Sequence, residues 1–241
     1  MKNYSTMLTF LIFCLSISFN ANAFRLEPMV ADFTADGDGA SHVFRVENES
    51  KEKIAVKIQA FVRSIDEKGK ETMVPTKDFK IYPDQVTLSA SDSRAVRIIY
   101  QGAKVLEQEL SYRIVASQLP VAFKEDQKKT GIKFLFQFVA SVYVTSDKFS
   151  PKIEVESATN VSKDSVRLKI VNKGQKHVLL KDVNAELKDS AGKILKLGPE
   201  NISNWESENL LSGTRRTFKI KSSSSFDIVK DVPKIEIKDQ N

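Results

Sequence analysis

The apolar residues of this chain recur at every second position, in short runs, along most of its length. Val43-Phe44-Arg45-Val46-Glu47 alternates, and so do 54–62, 86–88, 95–100 and 112–117. Successive side chains of a strand point to opposite faces, so a period of two marks a half-buried β-strand; a helix would need 3.6. The runs are rich in β-branched and aromatic residues, and Gly, Asp, Ser and Pro separate them. No long amphipathic helix is expected, only a single helical turn at 104–109. The spacing is that of an antiparallel sandwich.

The pattern breaks at a polar loop, 145–151, and then restarts at 153–155, 166–171, 178–187, 194–197, 217–220 and 235–237. The reading is all-β: two immunoglobulin-like β-sandwich domains in tandem, 24–146 and 147–241, each of roughly the 100 residues such a sandwich needs. Residues 1–23 read as a signal peptide. Lys2 gives the positive start, 7–17 is almost wholly apolar, and Ala21-Asn22-Ala23 fits a small-x-small cleavage site. The apolar stretch is short for a membrane span of about 20 residues, so no span is expected after cleavage.

Cys14 is the only cysteine and leaves with the signal. The mature chain then has no disulfide, thiol nucleophile or Cys-based metal site, and each domain is held by its apolar core. The net charge of +6 comes from scattered basic residues, without a basic run or a basic stripe interleaved with aromatics, which argues against nucleic-acid binding. The two histidines, His42 and His177, fall in different domains and read as surface or edge-strand residues. No metal-ligand spacing or phosphate loop is present, and Asp36-Gly37-Asp38-Gly39 lacks the remaining ligands of a calcium loop. No catalytic residue, metal site or cofactor is expected. The N-x-S sequences at Asn48, Asn160 and Asn201 carry no reading of their own.

The longest alternating run is 131–144, GIKFLFQFVASVYV. One face holds Ile132, Phe134, Phe136, Phe138, Ala140, Val142 and Val144. The other holds Lys133, Leu135, Gln137, Val139, Ser141 and Tyr143. Two readings are open. The run is a buried core strand, or it is an edge strand that offers its backbone and alternate side chains to a partner. A bare apolar edge invites aggregation, so the second reading requires a client to cover it.

Several stretches, in order, resemble the periplasmic chaperones of the chaperone–usher pilus pathway, and most closely their archaic branch. They are ENESKEKIAVKIQAFVR (47–63), DFKIYPDQVTLSASDSRAVRIIY (78–100), ELSYRIVASQLPV (109–121), FLFQFVASVYVTS (134–146) and LLSGTRRTFKI (210–220). The resemblance implies a non-enzymatic periplasmic protein. It would bind and stabilise pilus subunits by donor-strand complementation and deliver them to an outer-membrane usher, without ATP. The donor residues would be Ile132, Phe134, Phe136 and Phe138.

In the best-known branch, two basic residues anchor the subunit's C-terminal carboxylate. Here the matching positions fall near Met29-Val30 and near Ser141, and neither is basic. Arg97 and Arg113 match arginines of the non-classical branches and are the anchor candidates, with Arg25 and Lys133 behind them. The loop Lys51-Glu52-Lys53, at the implied usher contact, holds no proline. The rival is a secreted immunoglobulin-like pilus subunit or adhesin. It would carry its donor segment at the mature N-terminus, whereas the strongest alternating strand here is internal.

Overall fold

In a computed structural model that describes residues 24–121, 123, 134–162, 165–188, 194–203, 205–221 and 235–237, the alternating runs pair as β-ladders. The first domain contains β1 (Phe24–Glu27), β2 (Val30–Phe33), β3 (Ser41–Asn48), β4 (Ile54–Ile65), β5 (Glu71–Pro75), β6 (Phe79–Tyr82), β7 (Gln85–Leu88), β8 (Ser93–Tyr100), β9 (Leu110–Gln118) and β10 (Gln137–Val144). One sheet runs β1-β3-β8-β6. The other runs β2-β10-β9-β4-β5, with β7 also on β4. The alternate residues Phe44, Val46, Val56, Ile58, Val96, Ile98, Ile114 and Val142 fill the space between the sheets. Phe79 packs edge-on against Phe33, Tyr100 and Tyr112 at 5.4, 5.3 and 5.0 Å. The Tyr112 hydroxyl donates to Asp78 Oδ2 at 2.9 Å. Burial pushes that hydroxyl far up from its ordinary value, so it stays a donor.

The opening stretch 24–33 changes sheets. β1 pairs antiparallel with β3 in the first sheet, and β2 pairs parallel with β10 in the second. Its inward residues are Phe24 and Leu26, then Ala31 and Phe33, so the alternation slips by one across Pro28-Met29. A slip of one residue turns every later side chain to the opposite face. That is what a strand needs when it passes from one layer of a sandwich to the other. Pro28, with no N–H to donate, sits at the crossing.

The second domain contains β11 (Ile153–Ser162), β12 (Ser165–Asn172), β13 (Val178–Leu179), β14 (Val183–Lys188), β15 (Ile194–Leu197), β16 (Asn209–Leu210), β17 (Arg215–Lys221) and β18 (Ile235–Ile237). Its ladders are β11-β12-β17, β13-β16 and β15-β14-β18. They enclose a second core of Leu168, Ile170, Leu180, Leu210, Ile220 and Trp205, which shares no residue with the first.

Two expectations change. The run 178–187 is not one strand. A single 3-10 turn at Leu180–Asp182 drops Leu180 into the core, and β13 and β14 then join different ladders. Residues 104–109 form no helical turn; they are an irregular approach to β9.

Candidate functional site

One row of β10 and its approach has two fates. Ala140, Val142 and Val144 are fully buried. Phe138 is half-buried, its ring edge-on to Phe24 at 4.9 Å. Phe136 and Phe134 continue the same row past the end of the core and are 36% and 73% exposed. The run is therefore a core strand from Ala140 onward, while its earlier part carries exposed phenylalanines. The ladder begins only at Gln137, so 134–136 is extended chain rather than strand. Of the four expected donor residues, Phe134 and Phe136 stand together in the open. Phe138 belongs partly to the core. Ile132 lies outside the described residues.

The backbone of this stretch is half-paired. β9 covers one edge throughout, from Gln137↔Ser117 to Val144↔Leu110, and the Gln118 N–H donates to the Phe136 carbonyl at 2.9 Å. β2 covers only Ser141 to Val144 of the other edge, starting where the Ser141 N–H donates to the Met29 carbonyl at 2.9 Å. Among the described residues no strand pairs with that edge over 134–140. The sheet switch at Pro28 is the cause, because β1, which would otherwise extend β2 along this edge, lies in the opposite layer.

Val30 and Ser141 are cross-strand partners. The two positions near which the resemblance places basic anchors, Met29-Val30 and Ser141, therefore lie side by side, and neither is basic. Arg113, on β9 opposite Ser141, donates from Nη1 to the Ser141 hydroxyl. Its Nε and Nη2 grip Glu71 of β5 at 2.8 and 2.6 Å. Arg63 of β4 holds the same carboxylate through Nε at 2.9 Å, and its Nη1 donates to the Tyr143 hydroxyl at 3.3 Å. Burial pushes the Glu71 carboxyl up, but the Arg113 hydrogen bond and the charges of Arg63 and Arg113 outweigh it. The net result lies below the ordinary glutamate value.

Arg97 is not part of this group. It lies on β8, in the other sheet, and donates to the Ser41 hydroxyl at 3.1 Å. The structure therefore does not bring the two candidate arginines together. Arg25 sits on the outer side of β1 among Glu27, Glu47 and Glu49, and Lys133 lies outside the described residues. Arg63, Glu71 and Tyr143 are not candidates on sequence grounds. Arg63 and Glu71 are eight residues apart but Tyr143 is far along the chain, and the pairing of β4 with β5 and β9, and of β9 with β10, collects them.

The histidines also depart from expectation. Neither is a plain surface residue. His42 packs on Phe33 with ring centroids 4.4 Å apart. His177 lies between the domains, stacked on Tyr143, with Nδ1 2.6 Å from Oε1 of the buried Glu109. Further ties cross here. The Glu109 N–H donates to the Gln175 carbonyl at 2.8 Å, Gln175 Nε2 to the Glu107 carbonyl at 2.8 Å, and the Thr217 N–H to the Glu67 carbonyl at 2.8 Å. A cleft of about 190 Å³ remains between the domains, with Val62, Arg63, Gln108, Tyr112, Leu211 and Ser212 among its lining. Among the described residues no His/Cys/Asp/Glu group suits a metal ion, and no helix is long and apolar enough to cross a membrane.

Residues 29–144 match the family described as pili and flagellar-assembly chaperone, PapD N-terminal domain. The first domain belongs to the pilus-assembly chaperones. A search of curated proteins found no match. Among solved structures, the class 5 fimbriae chaperone CfaA is similar with a TM-score of 0.57 at 18% identity, over 90% of this chain and 99% of that one. A chain of the CsuC–CsuE chaperone–tip subunit pre-assembly complex, from the archaic chaperone–usher Csu pili of Acinetobacter baumannii, gives 0.55 at 16%, over 84% and 89%. A chain of the Salmonella enterica SafA pilin–SafB chaperone complex gives 0.53 at 11%, over 91% and 98%. At these identities the likeness carries the fold. It extends across both domains, so the second sandwich is shared with chaperones of this kind.

Proposed function

We propose that this chain is a periplasmic chaperone that captures pilus subunits by donor-strand complementation and passes them to an outer-membrane usher. The observation that carries the reading is the open edge at 134–140, with Phe134 and Phe136 bare beside it. An incomplete immunoglobulin-like subunit takes up that edge as its missing strand. Backbone groups of 134–140 pair with the subunit, and the phenylalanine rings enter its core. Each buried ring contributes about 2–3 kcal/mol of apolar transfer, less the cost of ordering and docking. Ile132 would extend the row, and Phe138 would contribute whatever of its ring stays free of Phe24.

The client's terminus is anchored by Arg113. A client strand on the open edge is stopped by β2 at Ser141. If its C-terminus lies there, within reach of Arg113, it runs parallel to β10. Arg97, on the far sheet, does not share in this. Chains of similar fold occur in complexes with a tip subunit and a pilin, which supports subunits as partners. The function involves no covalent chemistry and no cofactor. The chain acts after its signal peptide, 1–23, is removed, and its two domains divide near 146/147.

The test is co-expression in a bacterial periplasm with a pilus subunit that is unstable alone. A soluble one-to-one complex, in which 134–140 is protected from amide exchange, is the expected result. A complex in which those amides exchange as in the free chain would overturn the reading.

A further inference from the structure

Arg63 and Arg113 present two guanidinium groups on the outer face of one sheet. Their side chains are 6% and 15% exposed. Two cations so placed, with no anion beside them, would be costly to bury. One carboxylate serves both, Glu71. It takes the Nε/Nη2 fork of Arg113 and the Nε of Arg63. Nη1 of Arg113 donates to the Ser141 hydroxyl, and Nη1 of Arg63 to the Tyr143 hydroxyl. The fork is the geometry by which a guanidinium recognises a carboxylate, and here it is occupied from within the chain.

The occupant is the least confined member of the group. Glu71 opens β5, the edge strand of its sheet, and its side chain is 29% exposed. It can swing to water while the arginines stay, since Ser141 and Tyr143 hold each of them by another nitrogen. With Glu71 in place the cluster still carries one net positive charge, which draws a second anion toward it. A second carboxylate that wants the two-point grip of Arg113 must take the fork that Glu71 holds.

We infer that Glu71 is a resident stand-in for the client's C-terminal carboxylate, filling the Arg63–Arg113 clamp in the free chaperone and displaced when a client's terminus arrives. This rests on the reading of Arg113 as the anchor. It adds Arg63 as the second cation and makes Glu71 a competitor that sets how strong a carboxylate the site accepts. A neutral or amidated terminus could not displace it. A fully formed chain end could, and so the clamp favours clients with a free C-terminus. Binding is weakened by the fraction of time the clamp is closed on itself.

The experiment uses the mature chain and a synthetic peptide copying the C-terminal strand of a captured pilus subunit, as free acid and as C-terminal amide. Titration calorimetry on the wild type should show tighter binding of the acid, and Arg113→Ala should erase the difference. Glu71→Gln should tighten the acid by about tenfold, the gain expected if the clamp is free about a tenth of the time, and leave the amide unchanged. If the wild type does not distinguish acid from amide, the anchor reading falls and the inference with it. If it does, and Arg113→Ala erases the preference while Glu71→Gln leaves the acid equal or weaker, the anchor stands. Glu71 is then a positioning partner, and the inference is wrong. The wild type gives a second reading that needs no variant. The Glu71 carboxyl carbon resonance should shift on saturation with the acid and not with the amide, and an unmoved resonance overturns displacement.

Discussion

The ring of Tyr143 lies flat on the imidazole of His177, with centroids 3.8 Å apart and planes 9° from parallel. One ring ends β10 and the other precedes β13, so the strand with the open edge is bound at its far end to the second domain. Asn209 Nδ2 donates to the Tyr143 hydroxyl at 2.7 Å, and the His177 N–H donates to Glu109 Oε1 at 3.1 Å. His177→Ala removes a stack worth about 0.5–1.5 kcal/mol. It also strips the buried Glu109 carboxylate of a side-chain partner, at a cost of about 1–3 kcal/mol. Each kcal/mol moves the melting temperature of a protein this size by about 2–4 °C, so calorimetry should show a fall of several degrees. An unchanged melting temperature would mean that the stack contributes nothing to holding the domains together.

The Glu71 clamp gives the protein a specific acid sensitivity. Arg113 and Arg63 overcome burial and hold the Glu71 carboxyl below its ordinary value of 4.5. A carboxyl whose folded value is depressed contributes stability that is complete above the unfolded value and lost as pH falls through the folded one. Urea midpoints should therefore drop below about pH 4.5 more steeply in the wild type than in Glu71→Gln, and the two curves should run parallel at neutral pH. Curves that stay parallel into acid would show that Glu71 carries no folding linkage.

Alternation was enough to find most of the strands, because each run buries one face and each parity is fixed by that burial. It misled where the chain changes layer. Phe24 and Leu26 sit in one parity and Ala31 and Phe33 in the other, so 24–33 looks like no single strand. Inside 178–187 the alternating letters run straight through the corner at Leu180. The open edge was legible only in part. Phe134, Phe136, Phe138 and Val142 look alike in sequence, and what separates bare from buried is where β1 leaves the sheet. Of the clamp only Arg113 was marked in the sequence; Arg63 and Glu71 were not, since they meet it only through strand register.

Asn48 shows a role that its N-x-S setting concealed. It is buried at the end of β3. Its Nδ2 donates to the carbonyls of Glu52 and Ser89 at 2.7 and 2.8 Å, and its Oδ1 accepts from the Ser50 N–H at 3.1 Å. Asn172 does the same at the end of β12, with Nδ2 on the carbonyls of Lys176 and Leu210 at 2.7 and 3.2 Å and Oδ1 on the Gly174 N–H at 2.9 Å. Each domain thus closes the same kind of loop with one buried amide. Asn48→Ala leaves those backbone groups without their partner, and each buried one costs about 1–3 kcal/mol. Urea unfolding followed by circular dichroism should show a loss of at least that size. A loss well under 1 kcal/mol, on the order of an exposed substitution, would mean that water replaces the amide.

The two halves of the β10 row should separate under mutation. Phe134 and Phe136 lie beyond the core, so replacing both with Asp should leave the melting temperature of the free chaperone nearly unchanged. On the proposed function the same change removes two rings that enter the client, worth about 2–3 kcal/mol each, and capture should weaken by roughly a hundredfold or more. Phe138→Asp should do the reverse in part, because its ring packs on Phe24 and a charge there enters the edge of the first core. That variant should melt well below the wild type before any client is added. Co-purification with a pilus subunit and thermal melts of the three proteins decide the matter. If the double variant still retains the subunit at wild-type yield, the open edge is not where the client binds. If Phe138→Asp is as stable as the double variant, the division of the row between core and client is wrong.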